Sequence, residues 1–209
     1  MKPASLIRQT LDLIVAIPLF AVTPVIRPWH TRWGASPTEV GSAMPGDDLF
    51  PRAQFQATRA ITIDAAPNEV WPWLVQVGFG RAGFYSYDLL DSLGHQSAER
   101  IVPELQTLSV GDWVPMSPTV TATTAFKVDS FDPAAWLLWR KPDSTWSWRL
   151  DPAGQRTRLV TRIRVVYDWH KPAAALLSVF LIEVGDFAMM RRMLKGIRRR
   201  AETQTTRVA

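Results

Sequence analysis

The sequence predicts an α+β fold: a curved antiparallel sheet wrapped around a long C-terminal helix, with two short helices after the first strand. Three observations predict it. Residues 112–116, 123–131, 135–140, 145–150 and 157–169 are short runs rich in β-branched and aromatic residues, separated by Pro, Asp and Gly. The last run alternates: Leu159, Thr161, Ile163, Val165 and Tyr167 share one face, and Val160, Arg162, Arg164, Val166 and Asp168 the other. One face is then apolar and covered and the other wet, as in an antiparallel sheet. From residue 172 to about 202, Leu176, Leu177, Phe180, Leu181, Val184, Phe187, Met190, Met193, Leu194 and Ile197 recur at steps of three and four. A helix of about 30 residues is about 45 Å long, enough to cross the sheet and cover its apolar face.

The first strand is expected over residues 54–63, where polar and apolar residues partly alternate. Pro67 then opens a helix, with Glu69 in its first turn and Val70, Trp71, Leu74, Val75 and Val77 as its apolar stripe. Pro72 should bend it and Gly78 end it. A second short helix is expected over residues 87–93, before Gly94. Residues 1–36 form a hydrophobic N-terminal segment, 37–53 a linker or arm, 54–202 the domain and 203–209 a tail.

In the N-terminal segment, an apolar run of about 16 residues lies between Lys2 and Arg8 on one side and Arg27, His30 and Arg32 on the other. A comfortable membrane span needs about 20. A short or tilted anchor, an interfacial helix, a signal peptide and a helix packed on the domain all fit this pattern. The chain is therefore expected to be membrane-associated or cytoplasmic.

The 209 residues include no Cys and three His, His30, His95 and His170, far apart in sequence. Disulfides and thiolate chemistry are excluded, and neither a metal site nor a cofactor is expected. The net charge of +5 suggests nucleic acid at first sight. Its surplus, however, lies in Arg191, Arg192, Lys195, Arg198, Arg199 and Arg200 near the C-terminus, without a nucleic-acid-reading motif. A helix end matched to its dipole, or a contact with anionic lipid, explains it better, and no nucleic-acid partner is expected.

Ten Trp are an unusual load. Trp71, Trp73, Phe84, Trp136, Trp139, Trp146 and Trp148 are candidate walls of a core or cavity. On the helical side Phe180, Val184, Phe187 and Met190 would line the same space. The densest polar–aromatic cluster is Arg81, Tyr85, Tyr87 and Asp88. These four could orient the polar end of a ligand, or do acid–base chemistry if burial shifted a pKa. Residues 78–83 match G-x-G-x-x-G, but a helix precedes them where a dinucleotide site needs a strand, so a glycine turn is expected. There is no G-x-S-x-G elbow.

Residues 60–71 (AITIDAAPNEVW), 80–88 (GRAGFYSYD), 100–104 (RIVPE) and 187–197 (FAMMRRMLKGI) resemble the START-like helix-grip superfamily. That superfamily includes the birch-pollen-allergen-like proteins and the polyketide cyclase/dehydrase families. The resemblance covers roughly residues 55–202 and lies nearest to an uncharacterised bacterial branch. It implies a helix-grip fold and binding or carriage of a small hydrophobic ligand, lipid- or polyketide-like, between sheet and C-terminal helix. It leaves open a cyclase or dehydratase using the same cavity. A membrane-tethered interaction protein, held by the N-terminal segment and the basic helix end, is a third alternative.

Overall fold

The computed structural model describes residues 3–208, so Lys2 lies outside the described residues. Six strands form one antiparallel sheet in the order β1-β6-β5-β4-β3-β2. They are β1 (Phe55–Ile63), β2 (Trp113–Pro115), β3 (Ala125–Asp132), β4 (Trp136–Lys141), β5 (Ser144–Ala153) and β6 (Arg156–Val165). Helices α1 (Pro3–Val22), α2 (Arg27–His30) and α3 (Pro37–Gly41) precede the sheet. Helices α4 (Pro67–Val75) and α5 (Asp88–Asp91) follow β1. The chain closes with α6 (Pro172–Phe180), a π-helical turn (Leu181–Gly185) and α7 (Asp186–Val208).

Register follows the alternation. Ile61 stands opposite Leu159, which stands opposite Leu150, and Trp148 stands opposite Thr161. These side chains meet Met190, Met193, Leu194 and Ile197 of α7 and Val70, Trp73 and Leu74 of α4 in one buried core. Pro67 and a Glu69 carboxylate that accepts from the Ala66 amide at 2.8 Å start α4 where the sequence placed it.

The face expected to be wet is covered. Arg158 grips Glu39 with two nitrogens, at 2.7 and 2.9 Å, and holds that carboxyl down to about 2. Arg162 donates to Asp47 at 2.5 Å and to the Val40 carbonyl at 2.9 Å. Arg164 donates to the Phe50 carbonyl and Arg149 to that of Ala43. Residues 37–53, expected as a linker or arm, are thus laid across the outer face, with Met44 buried on Ala60 and Val160. The carbonyls of Thr31 and Trp33 also accept from the Thr58 and Ala60 amides at the β1 edge, at 2.8 and 3.2 Å. A Cβ on Gly34 would meet the Ala60 carbonyl, so this close approach requires glycine.

One cation breaks the apolar pattern of the inner face. Arg59 of β1 is 1% exposed and pairs at 2.6 Å with Asp186, the first residue of α7, itself 8% exposed. It also donates to the His30 carbonyl at 2.8 Å and lies over the Phe187 ring. Burial, aided by Arg59, pushes the pKa of His30 down and keeps its ring neutral. Three distant segments are locked here by one guanidinium.

No helix among the described residues is long and apolar enough to cross a membrane. α1 packs one edge, through Ala16, Leu19 and Phe20, on Tyr87 and Ala188. From residue 6 onward, most of its other side chains are exposed.

Candidate functional site

The structure gathers part of the aromatic set. Trp73, Phe84, Tyr85, Trp146, Trp148 and Met190 lie in the core between sheet and α7, with Trp71 partly buried beside Phe131. Trp139, Trp146 and Trp148 touch one another, with ring centroids 5.1–5.7 Å apart. Trp136 does not join them. It is two residues from Leu138, which faces Gly46 of the arm, so alternation puts both on the outer face. Phe187 is buried in another place, against Trp29, His30 and Trp33. Phe180 is 61% exposed and Val184 only half-buried. The π-helical turn adds a residue to the helical repeat and rotates α6 out of phase with α7. The space between sheet and helix is therefore filled largely by indoles. The Trp73, Trp139 and Trp148 N–H groups are buried there with no hydrogen-bond partner.

The four polar candidates hold the loop after α4. The Tyr85 hydroxyl donates to the Trp73 carbonyl at 3.1 Å and accepts from Gln76 at 2.9 Å. Burial pushes its pKa up, so it stays a phenol. Asp88 accepts from Ser97 Oγ at 2.6 Å, so it does not cap α5. Arg81 turns inward to the Val75 carbonyl, and burial lowers its pKa. Residues 78–83 form a turn closed by hydrogen bonds between Gly78 and Gly83, following α4. Tyr87 lies under the Arg192 guanidinium, 4.4 Å from its ring centre.

A concavity lies on the other side of α7. It measures about 770 Å³ and is walled by α1, α7 and residues 85–99. Arg8, Arg191, Arg192, Lys195, Arg199 and Arg200 line it, against the carboxylates Asp12, Asp88 and Glu99. Arg192 pairs with Asp12 at 2.6 Å, and Arg200 with Glu99 at 2.7 Å while lying over the Tyr85 ring. Gly196 forms part of the floor: a Cβ there would run into the Tyr85 carbonyl, so glycine lets the Tyr85 backbone touch the helix. The sequence pattern shows the α7 cations but reads as a helix end or a contact with anionic lipid, with no cleft. The available signal was Arg8 and Asp12, one turn apart on an N-terminal helix long enough to lie along α7.

No protein-family model matches the chain, and no curated protein matches it. Solved structures do. The polyketide cyclase-like protein Cgl2372 of Corynebacterium glutamicum is 14% identical, over 72% of this chain and 93% of its own, with a TM-score of 0.46. The protein KanY is 13% identical, over 71% and 98%, with a TM-score of 0.46. CalU16 of Micromonospora echinospora is 15% identical, over 72% and 86%, with a TM-score of 0.34. The order of its own elements, one strand, two short helices, five antiparallel strands and a closing helix, is that of a helix-grip fold, extended by an N-terminal helix and arm.

Proposed function

We propose that this is a ligand-binding helix-grip protein that works at a membrane surface. One observation carries the membrane part. Leu6, Ile7, Leu11, Ile14, Val15 and Ile17 of α1, then Val25 and Trp29, are exposed, Val15 and Val25 to about four-fifths. Leu176, Leu177, Phe180 and Leu181 of the closing helix are exposed too. α1 contacts the π-helical turn, and Arg27 binds Glu183 of that turn at 2.7 Å, so the two apolar surfaces adjoin. Apolar side chains in such number on one surface mark an interaction site. The cationic cleft along α1 favours an anionic bilayer as the occupant, entered in the manner of an interfacial helix.

Flotation with vesicles tests this. The protein is expected to float with vesicles of phosphatidylglycerol and phosphatidylcholine, and a Val15→Glu/Phe180→Glu double variant to stay at the bottom with an unchanged circular dichroism spectrum. Failure of the parent protein to float, or a dimer in solution that buries this face, overturns the membrane reading.

The ligand part is favoured by the three unpartnered indole N–H groups. A buried donor without a partner costs about 1–3 kcal/mol. An apolar ligand bearing a hydrogen-bond acceptor would satisfy one or more of them by displacing indoles that now fill the sheet–helix space.

A further inference from the structure

We propose that the cleft between α1, α7 and residues 85–99 is a binding site for a phosphate monoester carried on an organic body. Six cationic and three carboxylate side chains line it, a surplus of three positive charges that suits a dianion. Two of the cations are already oriented. Arg192 is held by Asp12 and Tyr87, and Arg200, whose side chain is 6% exposed, by Glu99 and Tyr85. Guanidinium forks fixed in this way offer nitrogens to phosphate oxygens at little entropic cost. Three others, Arg8, Arg191 and Lys195, have no ion-pair partner among the described residues. Lys195 instead faces Arg191 and Arg198, and burial together with these like charges pushes its pKa down. Arg198 has its own partner, Glu202 at 2.9 Å, but the repulsion between Lys195 and Arg191 inside the cleft would be relieved by an anion. A volume of about 770 Å³ exceeds what inorganic phosphate needs and falls in the range of small-molecule sites.

The same chemistry has two sources, a lipid headgroup and a soluble phosphorylated metabolite. α1 favours the first, since Arg8 and Asp12 line the cleft while Ile7, Leu11 and Val15 are exposed to solvent. The site does not depend on membrane docking, and the test uses no vesicles. Titration calorimetry of the full chain with phenyl phosphate, monomeric dihexanoyl phosphatidic acid and monomeric dihexanoyl phosphatidylcholine is expected to show binding of the first two only. Both should weaken about tenfold in Lys195→Gln and again in Arg191→Gln, as expected for loss of one charge-assisted contact each. Tighter binding of the phosphatidic acid assigns the site to a headgroup; equal binding assigns it to a soluble ester, and either supports the site. No binding of either monoester, or binding that both variants leave unchanged, overturns it.

Discussion

An Asp186→Ala protein is expected to lose about 3–5 kcal/mol of stability. The substitution leaves the Arg59 guanidinium in the interior without its carboxylate, where burial of an unpaired charge is the dominant cost. The His30 carbonyl and the Phe187 ring remain as partners, but neither carries a countercharge. The double variant Arg59→Met/Asp186→Leu should recover most of the loss, because the pair is then replaced by apolar volume and not broken. Urea denaturation of the parent, the single and the double variants measures both numbers. A single variant as stable as the parent would show that water reaches Arg59 and that the pair does not tie α7 to β1.

The second large effect is a pH dependence. Asp91 ends α5, which packs against α1, and both of its carboxylate oxygens are buried, with the Ser92 and Ser86 hydroxyls beside them to favour the charged form. Burial, reinforced by the negative charge of Asp88, raises its pKa to about 7. A carboxyl raised in the folded state adds stability that is fully present below its unfolded pKa, near 4, and lost as the pH climbs to about 7. Asp91→Asn stays neutral throughout. Its stability relative to the parent should therefore increase by about 2–3 kcal/mol between pH 5 and pH 8, at about 1.4 kcal/mol per unit, and level off above pH 7. Taking the difference between the two proteins cancels the opposite contribution of His30, whose lowered pKa costs stability as the pH falls below about 6.5. Parallel stability curves for variant and parent would mean that Asp91 is solvated.

The central architecture was legible because it rests on periodicity. Alternation along β6 placed Leu159 and Ile163 inward, and the spacing of Met190, Leu194 and Ile197 matched the helical face that covers them. The same rule, continued into β4, separates Trp136 from Leu137 and Trp139; grouping Trp136 by aromatic type alone lost that information. Phe180 and Val184 fit the periodic series only if the closing helix keeps one phase, and a π-helical turn is invisible to a count in threes and fours. The arm was hidden by its composition, since Gly, Pro and Ser describe how a backbone turns and not what it lies on. Its clue was elsewhere: Arg158, Arg162 and Arg164 share one face of a strand, and Glu39 and Asp47 are the acids that answer them. The cleft could not be read locally at all, because its two helical walls are separated by most of the chain.

The carbonyls of Thr31 and Trp33 that bond to β1 have a further consequence. An open sheet has two borders where a foreign strand can add, and each is a starting point for cross-β growth. Here one border is occupied by the chain's own backbone. The other is β2, three residues long and ending in a proline that has no amide hydrogen to offer. The N-terminal extension thus leaves little free strand edge on which templated self-association could start.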